Sequence, residues 1–184
     1  MPQRRLAALE RLTGLSSTEV HRRVWASGLE EACERGDFPA DEAATRIAAA
    51  LGRPLTLDEL AATWALAFEP DLDVLEITRA RRARGPIGLL TNNGPLLLHA
   101  LPTALPEIAH GFDPLLFSCR LRALKPTPTL FAAVLREVGR DPDEVLLIDD
   151  SVANVEGARA AGLEALLYTD PAALRRELSA RADA

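Results

Sequence analysis

Aromatic residues are scarce in this chain of 184 residues, with five Phe, two Trp and one Tyr making up 4%. Abundant Ala, Leu and Arg take their place, which points to helix-rich packing rather than an aromatic-filled β-sandwich. Positive charge is also in deficit: 21 Lys and Arg stand against 27 Asp and Glu, a net charge of −6. That balance excludes general affinity for a nucleic-acid backbone, which needs a clustered basic excess. Cysteine is limited to Cys33 and Cys119, far apart and outside any CxxC pattern, so neither a zinc site nor a disulfide framework is indicated. The N-terminal Met-Pro-Gln-Arg-Arg-Leu lacks the apolar stretch of a secretory signal, and no run elsewhere suits a membrane span. Reduced thiols and a cytoplasmic setting are the expectation. There is no internal repeat, no low-complexity linker, and neither a GxxxxGK[ST] nor a GxGxxG phosphate loop.

What is present falls into two halves. The length and a hydrophobic fraction of 48% suit one domain, or a core carrying a small inserted cap. From about Leu6 to Phe68, apolar residues recur at three- and four-residue spacing, which predicts helices. Ser16 precedes one of them with Glu19 three residues on, as in a capping box, and that helix is expected to stop near Gly28. A second opens at Pro39 with Ala43, Ile47 and Leu51 on one stripe, and a third runs from Leu57 to Phe68. Trp25 and Trp64 fall in this half and read as core.

Beyond Pro70 short apolar runs alternate with amphipathic helices, the pattern of a parallel sheet with crossover helices. The expected strands are Ile87 to Leu90, Leu115 to Phe117, Val145 to Ile148 and Ala165 to Tyr168. Helices are expected over Thr127 to Val138, Val152 to Ala161 and Pro171 to Ala180. The fold class is therefore α/β, with residues 1–70 as an all-helical cap and 71–184 as a Rossmann-like core. The cluster Arg79, Arg81, Arg82 and Arg84 reads either as a solvated helix face or as a guide for an anionic substrate.

Polar groups follow these strands at their carboxyl ends, where open α/β sheets bind ligands. Thr91-Asn92-Asn93-Gly94 offers a hydroxyl and small polar residues able to donate to an anion, or a plain strand-to-helix turn. Lys125, held before Pro126, reads as a fixed cation suited to a phosphoryl group or as a solvated lysine. Asp149 and Asp150 end the strongest apolar run. Two adjacent carboxylates there call for a cation, and hard oxygen donors favour Mg²⁺; the alternative is capping of the following helix. His21, His99 and His110 are scattered and are read as surface or core residues rather than ligands.

The ordered set Thr91, Lys125-Pro126 and Ile148-Asp149-Asp150-Ser151-Val152-Ala153-Asn154 resembles motifs two, three and four of the haloacid dehalogenase superfamily. The likeness covers nearly the whole chain, in the helical-cap subclass akin to sugar-phosphate phosphatases and to the phosphatase domain of soluble epoxide hydrolases. The resemblance implies a Mg²⁺-dependent phosphate monoester hydrolase. In it Thr91 and the Asn92 N–H bind the phosphoryl group and Lys125 offsets its charge. Asp150 and Asp149 serve Mg²⁺, and Asn154 stands where relatives often carry a second acid. Paired Asp residues favour a phosphatase over a dehalogenase. The implied partner is a small phosphorylated metabolite such as a sugar phosphate, and the oligomeric state, homo-oligomer included, stays open.

One motif of the family is not found. An apolar strand ending in Asp-x-Asp or Asp-x-Gly, central in the sheet and carrying the attacking carboxylate, is expected ahead of the cap. Asp71-Leu72-Asp73 has the spelling but follows Pro70 and reads as a helix start. Three explanations stand side by side: a chain that begins late in an ordinary enzyme, a catalytically inactive binding or regulatory module, and catalysis by a different group.

Overall fold

The structure is a computed structural model and describes residues 3–181. It separates into two compact units. One takes the chain up to Pro70 together with Leu89–Arg122, and the other takes Asp71–Gly88 together with the chain from Ala123 onward. The chain therefore passes between units three times, and residues 89–122 pack with the N-terminal helices.

The first unit opens with five helices: α1 (Gln3–Thr13), α2 (Ser17–Val24), α3 (Leu29–Glu34), α4 (Ala40–Leu51) and α5 (Leu57–Ala65). Their local signals are visible. Ser16 Oγ accepts the Glu19 N–H at 3.3 Å, but the Glu19 carboxylate turns to Arg22 and Arg23. The reciprocal capping box forms instead at Thr56 and Glu59, ahead of α5. α2 ends at Val24, earlier than Gly28 suggested; Gly28, at φ +80°, instead starts α3. Leu9, Val20, Val24, Ile47, Leu51 and Trp64 form the core between these helices.

The same unit continues with β1 (Leu89–Thr91), α7 (Pro95–Ala104), α8 (Pro106–Gly111), β2 (Leu115–Phe117) and α9 (Ser118–Leu121). β1 and β2 are parallel, with Leu89 opposite Leu115 and Thr91 opposite Phe117. β1 starts two residues later than Ile87 because the ladder begins where Leu89 N–H reaches Pro114 O, after Gly85 and Pro86. A second apolar cluster of Ala61, Ala65, Leu97, Leu101 and Phe117 joins α5 and α7 to β2.

The second unit holds α6 (Leu72–Arg81), α10 (Pro128–Val138), β3 (Leu146–Asp149), α11 (Val152–Ala160), β4 (Glu164–Leu167) and α12 (Pro171–Ala180). β3 and β4 are parallel, with Leu146 opposite Glu164 and Asp149 opposite Leu167. β3 begins one residue after Val145, whose N–H is spent on Pro142 O in the preceding turn. Leu130, Phe131, Val134, Val155 and Ala158 are buried between helices α10 and α11. The four strands thus form two two-stranded sheets, one in each unit. Ile148 of β3 is 37% exposed and Leu167 of β4 45%, unlike the fully covered strands typical of parallel sheets. No helix among the described residues is long and apolar enough to cross a membrane.

Candidate active site

In the second unit three of the sequence-selected residues, Lys125, Asp149 and Asn154, converge. Lys125 Nζ donates to Asp149 Oδ2 at 2.6 Å, with the two side chains 11% and 7% exposed. The other oxygen, Oδ1, accepts the Ser151 backbone N–H and Asn154 Nδ2, each at 2.9 Å. Asp149 is thus a carboxylate with both oxygens engaged at the carboxyl end of β3. Burial by itself would push its carboxyl up. The hydrogen bonds from Lys125, Asn154 and Ser151, with the ammonium charge, outweigh that and hold it below the ordinary range.

Local sequence explains this arrangement. β3 carries Asp149 to the sheet edge, and Ser151 turns the chain into α11, which brings Asn154 back over the carboxylate. Ser151 is the N-cap of α11 but its side chain makes no capping bond, so the Asp-Asp-Ser run is not spent on capping. Gly157 lies where α11 crosses the Lys125-Pro126 loop: a Cβ there would stand 2.5 Å from Pro126 O. Only glycine permits this approach, which sets Lys125 beside Asp149. Asp150, the neighbouring carboxylate, is exposed.

Thr91 and Asn92 belong to the first unit. Thr91 Oγ1 accepts Asn93 Nδ2 at 2.6 Å, and the Asn93 N–H is held by Ser118 Oγ at 3.0 Å. Ser118 is fully buried and also donates to Glu34 O at 2.7 Å. Asn93 belongs to the run the sequence singled out, whereas Ser118 does not. The available signal was the position of Ser118, directly after the strand Leu115–Phe117, where ligands of α/β sheets gather. The turn is followed by Gly94 as the N-cap of α7 and Pro95 in its first position.

Asp71 answers the question raised by its spelling. Its Oδ1 accepts the N–H groups of Asp73 and Val74, at 3.0 and 3.1 Å, as the N-cap of α6. His99 pairs with Asp58 on the surface of the first unit, and the ring of His110 meets Pro106 O.

The donor set for a metal is modest. Among the described residues no three His, Cys, Asp or Glu side chains gather to hold one. Mg²⁺ does not need such a cage, since it keeps several waters and takes one or two protein carboxylates. Exposed Asp150 beside the ionised Asp149 fits that requirement in oxygen chemistry and charge.

The family model for haloacid dehalogenase-like hydrolases matches residues 6–162. A phosphatase of Mycobacterium tuberculosis is 32% identical over 168 residues, 86% of this chain and 76% of that protein. A D-ribitol-5-phosphate phosphatase of Bacteroides thetaiotaomicron is 27% identical over 161 residues, covering 83% of this chain and 77% of the relative. Among solved structures, a family enzyme from the same organism, in complex with magnesium and inorganic phosphate, superposes with a TM-score of 0.77 at 20% identity. It covers 91% of this chain and 86% of its own.

Proposed function

The chain belongs to the haloacid dehalogenase-like hydrolases, and from that premise we propose that it acts on a small phosphate monoester, of the sugar-phosphate class, with Mg²⁺. The observation that carries this reading is the Lys125–Asp149–Asn154 cluster, a buried cation locked to a carboxylate at a strand end with a second carboxylate exposed beside it. Both relatives named above are phosphatases, and one acts on D-ribitol 5-phosphate.

In this reading the Thr91 hydroxyl and the Asn92 N–H donate to non-bridging phosphoryl oxygens. Lys125 offsets negative charge, its ammonium already oriented by Asp149 rather than free to wander. Asp150 would hold Mg²⁺ directly, with Asp149 next to it and Asn154 fixing Asp149. Bound there, Mg²⁺ supplies charge neutralisation to the phosphoryl oxygens. The two free thiols, Cys33 and Cys119, accord with a cytoplasmic setting.

The attacking group stays unassigned among the residues of this cluster, and Asp71 is committed to capping α6. That observation favours a second reading, in which the protein binds phosphorylated ligands without turning them over. One experiment separates the two. Hydrolysis of an aryl phosphate and of ribitol 5-phosphate is measured with and without Mg²⁺, alongside binding of inorganic phosphate. Mg²⁺-dependent turnover that Lys125→Met abolishes establishes the enzyme. Binding without turnover, in this chain and in one extended upstream to the next in-frame start, establishes the module, and the absence of both sinks the phosphate reading.

A further inference from the structure

We infer that Ser118 is a positioning residue for anion binding at Thr91, a middle link of a hydrogen-bond relay that runs from the end of α3 into the Thr91 loop. The inference rests on the phosphate reading above. Every link lies in the first unit. Ser118 is 0% exposed, and its Oγ donates to Glu34 O at 2.7 Å while accepting the Asn93 N–H at 3.0 Å. The alternative acceptor for its proton, Asn93 O, is farther, at 3.3 Å. Asn93, 8% exposed, then donates Nδ2 to Thr91 Oγ1 at 2.6 Å.

The chemistry of the last link decides what Thr91 can do. A hydroxyl has one proton and two lone pairs. Accepting from Asn93 occupies one lone pair, so the proton points away from Asn93, and the short bond polarises it for donation. The relay thereby turns the Thr91 proton away from Asn93 and toward an acceptor, the role a phosphoryl oxygen requires of it. Ser118 acts at a distance by fixing the Asn93 backbone, and hence the direction of its amide.

A buried serine joining two backbone groups could serve packing alone, but here α3 meets this loop at a second place. A Cβ on Gly94 would lie 3.2 Å from Cys33 Cβ and 3.3 Å from its carbonyl carbon. Helix α3 therefore supports the loop at two adjacent points, at Asn93 through Glu34 and Ser118 and at Gly94 through Cys33.

The test is the affinity of the full chain for inorganic phosphate, read by calorimetry with Mg²⁺ present. Ser118→Ala should weaken binding about tenfold, and Ser118→Thr, which keeps the hydroxyl, should restore most of it. Asn93→Asp should weaken it as much, because a carboxylate takes the Thr91 proton. In a Thr91→Val background Ser118→Ala should have no further effect, a non-additivity that a packing role would not produce. Wild-type affinity in Ser118→Ala, or full additivity with Thr91→Val, overturns the inference while the phosphate reading stands. Absence of phosphate binding by the wild type overturns both. If Ser118→Ala does not fold, unchanged affinity in Asn93→Asp overturns the relay.

Discussion

Lys125 and Asp149, 24 residues apart in sequence, form an ion pair at 2.6 Å in which neither side chain is more than 11% exposed. Taking such charges out of water is unfavourable on its own, and the pair is tolerable because Asn154 and the Ser151 N–H complete the shell of the carboxylate. Under the proposed function, stability and phosphoryl binding rest on the same atoms.

Removing one partner should therefore leave an uncompensated charge. Lys125→Met and Asp149→Leu are each expected to cost about 3 kcal/mol in urea unfolding, the magnitude of a broken buried pair. The double replacement should cost clearly less than the sum, because no lone charge stays behind. Additive losses would show that the pair is not energetically coupled.

Part of this was legible from residues alone. Leu115–Phe117 and Pro171–Ala180 stand where the sequence predicts them, because Pro114, Ser118 and Asp170 bound them sharply. The Asp71 cap is also as read. A helix after Gly94 is foreseen only as the strand-to-helix alternative, and α8 and α9 not at all, since Pro102 sits inside α7 and Pro106 opens α8. Lone prolines there read as breaks. The Ser118 relay was out of reach for a different reason: its partner Glu34 is 84 residues away, and nothing local marks a contact of that range.

Arg5 is a second case that local reading misses, a basic residue in a basic N-terminal run that is only 5% exposed. Its guanidinium meets Glu30 at 3.3 Å and lies 5.1 Å from the Trp64 ring centroid, while Trp64 Nε1 donates to Glu30 Oε1 at 2.8 Å. Arg5 Nε is buried without a hydrogen-bond partner. Arg5→Met should cost about 3–5 kcal/mol by stranding Glu30. Arg5→Met with Glu30→Leu should regain much of the loss, leaving the Trp64 indole N–H as the unsatisfied group. Thermal unfolding of the wild type and the two variants, with Trp fluorescence as the probe, checks the order.

Glu34 gives a pH dependence of definite sign. Burial first, then the neighbouring Glu30 carboxylate, pushes its carboxyl from 4.5 up to about 7, against the pull of Arg5. An acid with a raised folded value binds its proton more tightly when folded. Its contribution is thus fully present below 4.5, falls as pH rises, and is gone above about 7. Glu19, whose carboxyl is held at about 2 by Arg22 and Arg23, has its folded-state titration below that window. The denaturation midpoint of Glu34→Gln relative to wild type should therefore rise between pH 4.5 and 7. A flat difference across that range would mean that Glu34 ionises as freely as in the unfolded chain.

Gly28 and Gly36 separate conformational from steric cost, since both take left-handed backbone, at φ +80° and +77°. A Cβ on Gly28 meets nothing within 4 Å, whereas one on Gly36 would lie 2.0 Å from Cys119 O and 2.8 Å from its carbonyl carbon. Gly28→Ala should cost about 1–2 kcal/mol, the penalty for an L-residue in that region. Gly36→Ala adds a collision with backbone that cannot rotate aside, for a total of about 3–4 kcal/mol. The obstruction is one residue from Ser118, so the displaced start of α9 should also disturb the relay to Thr91. Gly36→Ala is expected to weaken phosphate binding in the fraction that stays folded, and Gly28→Ala to leave it unchanged. Equal affinities in both variants would place the Cys119 backbone outside the support of the Thr91 loop.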